Sequence, residues 1–118
     1  MKMDFPSSTE LLKNAQNQHL YKKLVLQLKK DFGLANIDVD LPLDITPKKL
    51  QTLLHEKIYF LILEKFNEYL NLLYVIDVPE KAFRQIQGTD VVEVAEQVSF
   101  FILKRELQKV WFKTKYST

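Results

Sequence analysis

Apolar residues recur at intervals of three and four over three long stretches of the chain, and at intervals of two over only one. The first long stretch opens at Ser7, with Glu10 at capping-box spacing, and predicts a helix from about Ser8 to Phe32. Gly33 is the expected left-handed stop. Leu11, Leu12, Ala15 and His19 fall on one face, whereas Leu20, Tyr21, Leu24, Val25, Leu28 and Phe32 fall on nearly the opposite one. The polar run Asn14 to Gln18 lies between the two sets, so a bend or restart is expected there.

The interval of two occurs in Ile37, Val39, Leu41, Leu43 and Ile45, with Asp38, Asp40, Pro42 and Asp44 between them. Alternation of this kind marks a strand, but Pro42 lacks a ladder donor and no second convincing strand is available to pair with it. Residues 34–46 are therefore expected to form an extended strap. About twelve extended residues reach roughly 40 Å, enough to run back along the first helix and start the second helix parallel to it.

Thr46-Pro47 is an N-cap followed by proline at the first helical position. It predicts a second helix from Pro47 to about Tyr74 or Ile76. Leu50, Leu54, Ile58, Leu61, Ile62, Tyr69, Leu72 and Leu73 form its main stripe, and Tyr59, Leu63, Phe66 and Leu70 widen it to about half the circumference. So wide a stripe predicts a central helix touching two or more neighbours. Asp77-Val78-Pro79 ends it, a short helix from Pro79 to Gln87 is expected before Gly88, and Thr89 or Asp90 caps a last helix to about Lys113. Residues 1–6 and 114–118 are expected to fray.

The last helix changes its apolar face. Val91, Val94, Ala95, Val98, Phe101 and Ile102 share one side, but Phe100, Leu103, Leu107, Val110 and Trp111 take the side that Glu93 and Glu96 held. One core on one side cannot satisfy both halves. In the intramolecular reading, the first half packs on the second helix and the rest on the first helix or the strap. In the functional reading, Phe100, Leu103, Leu107, Val110, Trp111 and Phe112 meet a protein partner or a second copy of the chain.

Composition narrows the class. The 118 residues are 47% apolar, with two glycines where an average chain has about eight. There is little material for phosphate loops or tight hairpins, and no cysteine for disulfides or thiolate chemistry. No secretory-type leader opens the chain, and the apolar run Ile58 to Leu63 is far shorter than the roughly 20 residues of a membrane span. The expectation is a cytoplasmic protein without a transmembrane segment. Net charge is only +2, but it is uneven. Lys104, Arg105, Lys109, Lys113 and Lys115 cluster near the end, beside Trp111, Phe112 and Tyr116. That segment suggests contact with nucleic acid or an anionic membrane surface, against the plainer reading of a solvated helix end whose lysines suit the C-terminal dipole.

Candidate chemistry is sparse. Asp38, Asp40 and Asp44 project from one side of the strap, but the glycine turn and distant glutamate of a calcium loop are missing. His55 has no metal-ligand spacing, since position 59 is tyrosine rather than the second histidine of HExxH. It could at most line an interhelical pocket for a small ligand or substrate, near the tyrosines of the second helix. No serine has a nucleophile-elbow context. No catalytic residue, cofactor or metal site is predicted. The expectation is an all-α protein: one small bundle of three long helices, one short helix and the strap, acting as a non-enzymatic protein-interaction or self-associating module.

Overall fold

A computed structural model describes residues 3–116. It is all-helical, with α1 (Ser8–Asn17), α2 (Tyr21–Leu34), α3 (Pro47–Glu64), α4 (Phe66–Ile76), α5 (Glu80–Phe83) and α6 (Val91–Tyr116). No strand occurs among the described residues. The long helix expected at the start is two helices, as is the second. α5 is a single turn, and residues 84–90 are a loop. α6 continues past Lys113 to Tyr116 rather than fraying at Thr114, and Met3 and Phe5 pack against the core. Of the positions expected to fray, Met1, Lys2, Ser117 and Thr118 lie outside the described residues.

The helix starts follow the expected caps. Ser7 Oγ accepts from the Glu10 N–H at 3.2 Å, Thr46 Oγ1 from the Lys49 N–H at 3.3 Å, and Asp90 Oδ1 from the Val92 N–H at 2.8 Å. Each satisfies a donor that the first helical turn leaves free.

The helix ends are made differently from expectation. α1, α2 and α4 each close on a left-handed residue that is not glycine: His19 (φ 58°), Asn36 (φ 61°) and Asp77 (φ 68°). The N–H groups of Leu20, Ile37 and Val78 reach back to the carbonyls of Ala15, Phe32 and Leu73 at 2.8, 2.9 and 3.1 Å. This is the Schellman arrangement, and in each case an apolar residue beyond the turn is buried with the residue it bonds. Gly33 is therefore not the stop. It lies inside α2, and the left-handed turn falls at Asn36, a residue type that tolerates it. His19, expected on the apolar face of the first helix, is exposed in the turn. The second expected helix is interrupted at Lys65 (φ −141°, ψ 58°), with no proline or glycine nearby.

The strap is extended only in part. Ile37, Leu41 and Ile45 are buried and Val39 is half-buried, but a turn closed by Ile45 N–H to the Pro42 carbonyl at 3.0 Å leaves Leu43 exposed. Hydrogen bonds pin both ends. The Tyr21 hydroxyl donates to the Ile45 carbonyl at 2.6 Å, and Asn71 Nδ2 donates to the Ala35 carbonyl at 3.3 Å. The start of α2 thus lies beside the start of α3, and its end beside α4, so the chain runs the same way along both.

α6 packs against α1, α2, α3 and α4. Its C-terminal half runs antiparallel to α2: Lys109 bonds Asp31, Lys113 Nζ donates to Gln27 Oε1 at 2.7 Å, and Lys23 Nζ donates to Thr114 Oγ1 at 3.4 Å. Both apolar faces of α6 enter the core, which draws residues from every helix.

The two glycines give opposite expectations. Gly33 is helical with nothing within 4 Å of an added methyl, so Gly33→Ala should stabilise the fold by about 0.5–1 kcal/mol. Gly88 has φ 90°, and an added methyl would lie 2.9 Å from Glu93 Oε2, so Gly88→Ala should destabilise it by about 1 kcal/mol or more. Urea denaturation of both variants measures the two signs.

Candidate functional site

The docking residues expected on α6 divide by burial. Leu103, Leu107 and Val110 are buried in the chain's own core, Phe100 and Trp111 are half-buried, and Phe112 is exposed. The face change is thus met by packing within one chain, and the three buried residues offer no surface to a partner.

The basic segment is also engaged internally. Arg105 pairs with Asp77 at 2.9 Å, and Lys109 pairs with Asp31 and donates to the Ile76 carbonyl at 3.0 Å. Lys113 is held by Gln27, and the Lys115 ammonium lies 4.7 Å from the centre of the Trp111 ring. Lys104 is half-buried, with no acidic partner among the described residues. The five cations do not form one free array for phosphates.

Behind Lys109 lies a buried cluster whose members, judged by residue type alone, would be surface charges. Glu106 is 0% exposed and Asp31 is 3% exposed. Asp31 follows Leu28 on α2 and Glu106 adjoins Leu103 and Leu107 on α6, so both carboxyls sit at core-facing positions. Lys109 Nζ stands 2.8 Å from Glu106 Oε1 without the alignment of a hydrogen bond, and Gln27 Nε2 donates to Asp31 Oδ2 at 3.2 Å.

Burial, and after it the neighbouring Asp31 carboxyl, push the Glu106 carboxyl up to about 9 against the pull of Lys109. Burial also opposes ionisation of Asp31, but the neighbouring Glu106 carboxyl, the hydrogen bonds from Lys109 and Gln27 and the charge of Lys109 outweigh it and leave Asp31 below its ordinary value. For Lys109, burial opposes the charge, and the two carboxyls prevail and raise it. The cluster is then an Asp31–Lys109 ion pair beside a Glu106 carboxyl that burial drives toward its neutral form. It carries no net charge, as a low-dielectric site requires. It is closed to solvent at both carboxyls.

Other candidates do not converge. Asp38, Asp40 and Asp44 do not come together, and no group of three metal-ligating side chains occurs among the described residues. His55 is half-buried in an open, lysine-lined depression between α1 and α3, shared with Thr9, Lys13 and Lys48, and away from Tyr69 and Tyr74.

The structure instead leaves a row of large apolar side chains on the outside of α3 and α4. Leu63 is 50% exposed, Phe66 53%, Leu70 48% and Tyr74 84%, with Tyr59 and Phe60 beside them. The single wide stripe expected of this segment is therefore corrected. On a wheel at about 100° per residue, Tyr59 and Leu63 lie roughly 160° from the line of Leu50, Leu54, Ile58 and Leu61 on α3, and Phe66, Leu70 and Tyr74 lie roughly 110° from Tyr69, Leu72, Leu73 and Ile76 on α4, so each helix carries a second apolar set rather than one wide face. The spacing holds that signal, but adding the two sets together conceals it. No known protein-family model, curated protein or solved structure matches the chain. No described helix is long and apolar enough to cross a membrane.

Glu106 makes stability depend on pH. Below its ordinary value of 4.5 the folded and unfolded chains both hold the proton; from there to about 9 only the folded chain does, so stability falls as pH rises. Asp31 acts with the opposite sign, contributing above its ordinary value of 3.8 and losing that contribution as pH falls. Glu106→Gln keeps the size of the side chain and removes the titration. It should flatten the decline between about pH 5 and 9 and raise stability at pH 8 by about 1–3 kcal/mol. Urea melts across that range check it, and an unchanged slope would show that Glu106 is not the group holding the proton.

Proposed function

We propose that this chain is a non-enzymatic helical interaction module that docks on another polypeptide through the outward apolar face of α3 and α4. The observation that carries the reading is the exposure of Tyr59 and Leu63 on α3 and of Phe66, Leu70 and Tyr74 on α4. With about 200 Å² for a large side chain, the row and Phe60 expose about 600 Å², at the upper end of what a monomer's largest patch usually reaches. Aromatic anchors within such a patch are the side chains that carry binding energy at interfaces. Two further observations support docking over catalysis: among the described residues the cluster of perturbed carboxyls is sealed, and neither histidine meets it.

The last helix supports this surface from behind rather than serving as the surface. Its apolar residues hold α6 against four other helices, so α3 and α4 are backed by a packed core.

Photo-crosslinking tests the reading. A benzophenone amino acid placed at Leu63 or Leu70 in the source cells should give discrete adducts, and one placed at exposed Lys13 should not. Mass spectrometry then identifies the attached chain. Absence of adducts at both Leu63 and Leu70, or equal labelling at Lys13, would overturn it.

A further inference from the structure

An open groove of about 470 Å³ lies between α2 and α6 and shares no residue with the outward face of α3 and α4. Its size falls in the ordinary range for small-ligand sites. Lys23, Leu26, Gln27 and Lys30 line it from successive turns of α2, and Val110, Lys113 and Thr114 line it from α6. Its three charged side chains are all lysines. None of the three ammonium groups has a carboxylate partner among the described residues. We infer that this groove binds a phosphate monoester, with the phosphate between the lysines and the organic group against Leu26. The inference is independent of the docking surface proposed above.

Neutral groups hold two of the cations in place. Lys113 Nζ reaches from α6 to Gln27 Oε1 at 2.7 Å, and Lys23 Nζ reaches from α2 to Thr114 Oγ1 at 3.4 Å. Gln27 is buried, and its Nε2 is fixed on Asp31 Oδ2 at 3.2 Å, which leaves its oxygen for Lys113. The acid behind Gln27 does not neutralise the groove, because Asp31 is buried and paired with Lys109. An ammonium has three N–H donors, so Lys23 and Lys113 each keep two for a ligand. Thr114 accepts from Lys23 and retains its own O–H to donate.

The donor set favours phosphate over carboxylate. A planar carboxylate is matched by the fork of an arginine, and no arginine lines the groove. Ammonium groups act as point charges and suit a tetrahedral dianion approached from several directions. Leu26, 49% exposed, and Val110 supply the apolar part of the lining. An inorganic phosphate would leave that part uncovered, whereas the organic group of an ester covers it. A groove lined by one sign of charge also concentrates anions, an effect that salt weakens.

Titration of the full chain with phenyl phosphate, followed by nitrogen–proton NMR, tests the site. Saturable shifts are expected at Thr114 and at the Gln27 side-chain amide, with half-saturation at about 1 mM and weaker binding as salt rises. Lys23→Gln and Lys113→Gln should each weaken binding about threefold or more, and together about tenfold or more. Both lysines are exposed, so circular dichroism should not change. Lys48→Gln, in the separate depression beside His55, should bind like the unaltered chain. Benzoate should bind about tenfold more weakly than phenyl phosphate. Vesicles containing phosphatidic acid distinguish the sources of the phosphate. Vesicle capture that is lost in the double variant would assign the site to a lipid headgroup, and phenyl phosphate binding without capture would assign it to a soluble ester. Absence of saturable binding to either probe, equal weakening by Lys48→Gln, or benzoate binding as tight as phenyl phosphate would each overturn the inference.

Discussion

A carboxylic acid, a carboxylate and an ammonium must share one dry space between α2 and α6, and that requirement sets the register of the bundle. Three unscreened charges would be costly there. Burial drives Glu106 toward its neutral form, which leaves the Asp31–Lys109 ion pair as the charge held there. The arrangement works only if Lys109 reaches both Asp31 and the Ile76 carbonyl, so α2, α4 and α6 are held at one level. Apolar packing alone would tolerate a slide of one helix along another far better than this cluster does.

With that level fixed, the change of face along α6 has a simple cause. A helix surrounded by others has no solvent side over much of its length, so its apolar residues need not form one stripe. Ala95, Val98 and Ile102 occupy one sector, and Leu103, Leu107 and Val110 another, and both sectors are buried. The matching reversal at the start of the chain is solved by a break. The left-handed turn at His19 ends α1 and lets α2 set off with its own apolar face inward.

Much of this is legible in the sequence, and the misses share a physical origin. Ser7, Thr46-Pro47 and Asp90 act through local bonds, so their positions predict helix starts well. The end of α2 is harder to place because Asn36 adopts the left-handed turn expected of Gly33, and the apolar contact between Ile37 and Phe32 decides where the turn falls. Residue type alone makes Glu106 and Asp31 solvent charges, although their positions among Leu103, Leu107 and Leu28 put them on core faces. Residue type alone likewise makes Tyr59, Leu63, Phe66 and Leu70 core. In both cases angular position around the helix is the better guide than side-chain chemistry.

Those two exceptions divide the molecule's work. The buried charges determine how the helices sit, and their cost is offset inside the fold. The exposed apolar row lies outside that core, although the Phe66 ring packs on the core residue Tyr69 at 5.4 Å. A surface that is apolar and stands outside the core is shaped more by what it touches than by the packing behind it. The rigid backing from α6 then has a direct consequence: little conformational entropy remains to be lost when the face is covered, so a modest area suffices for a specific contact.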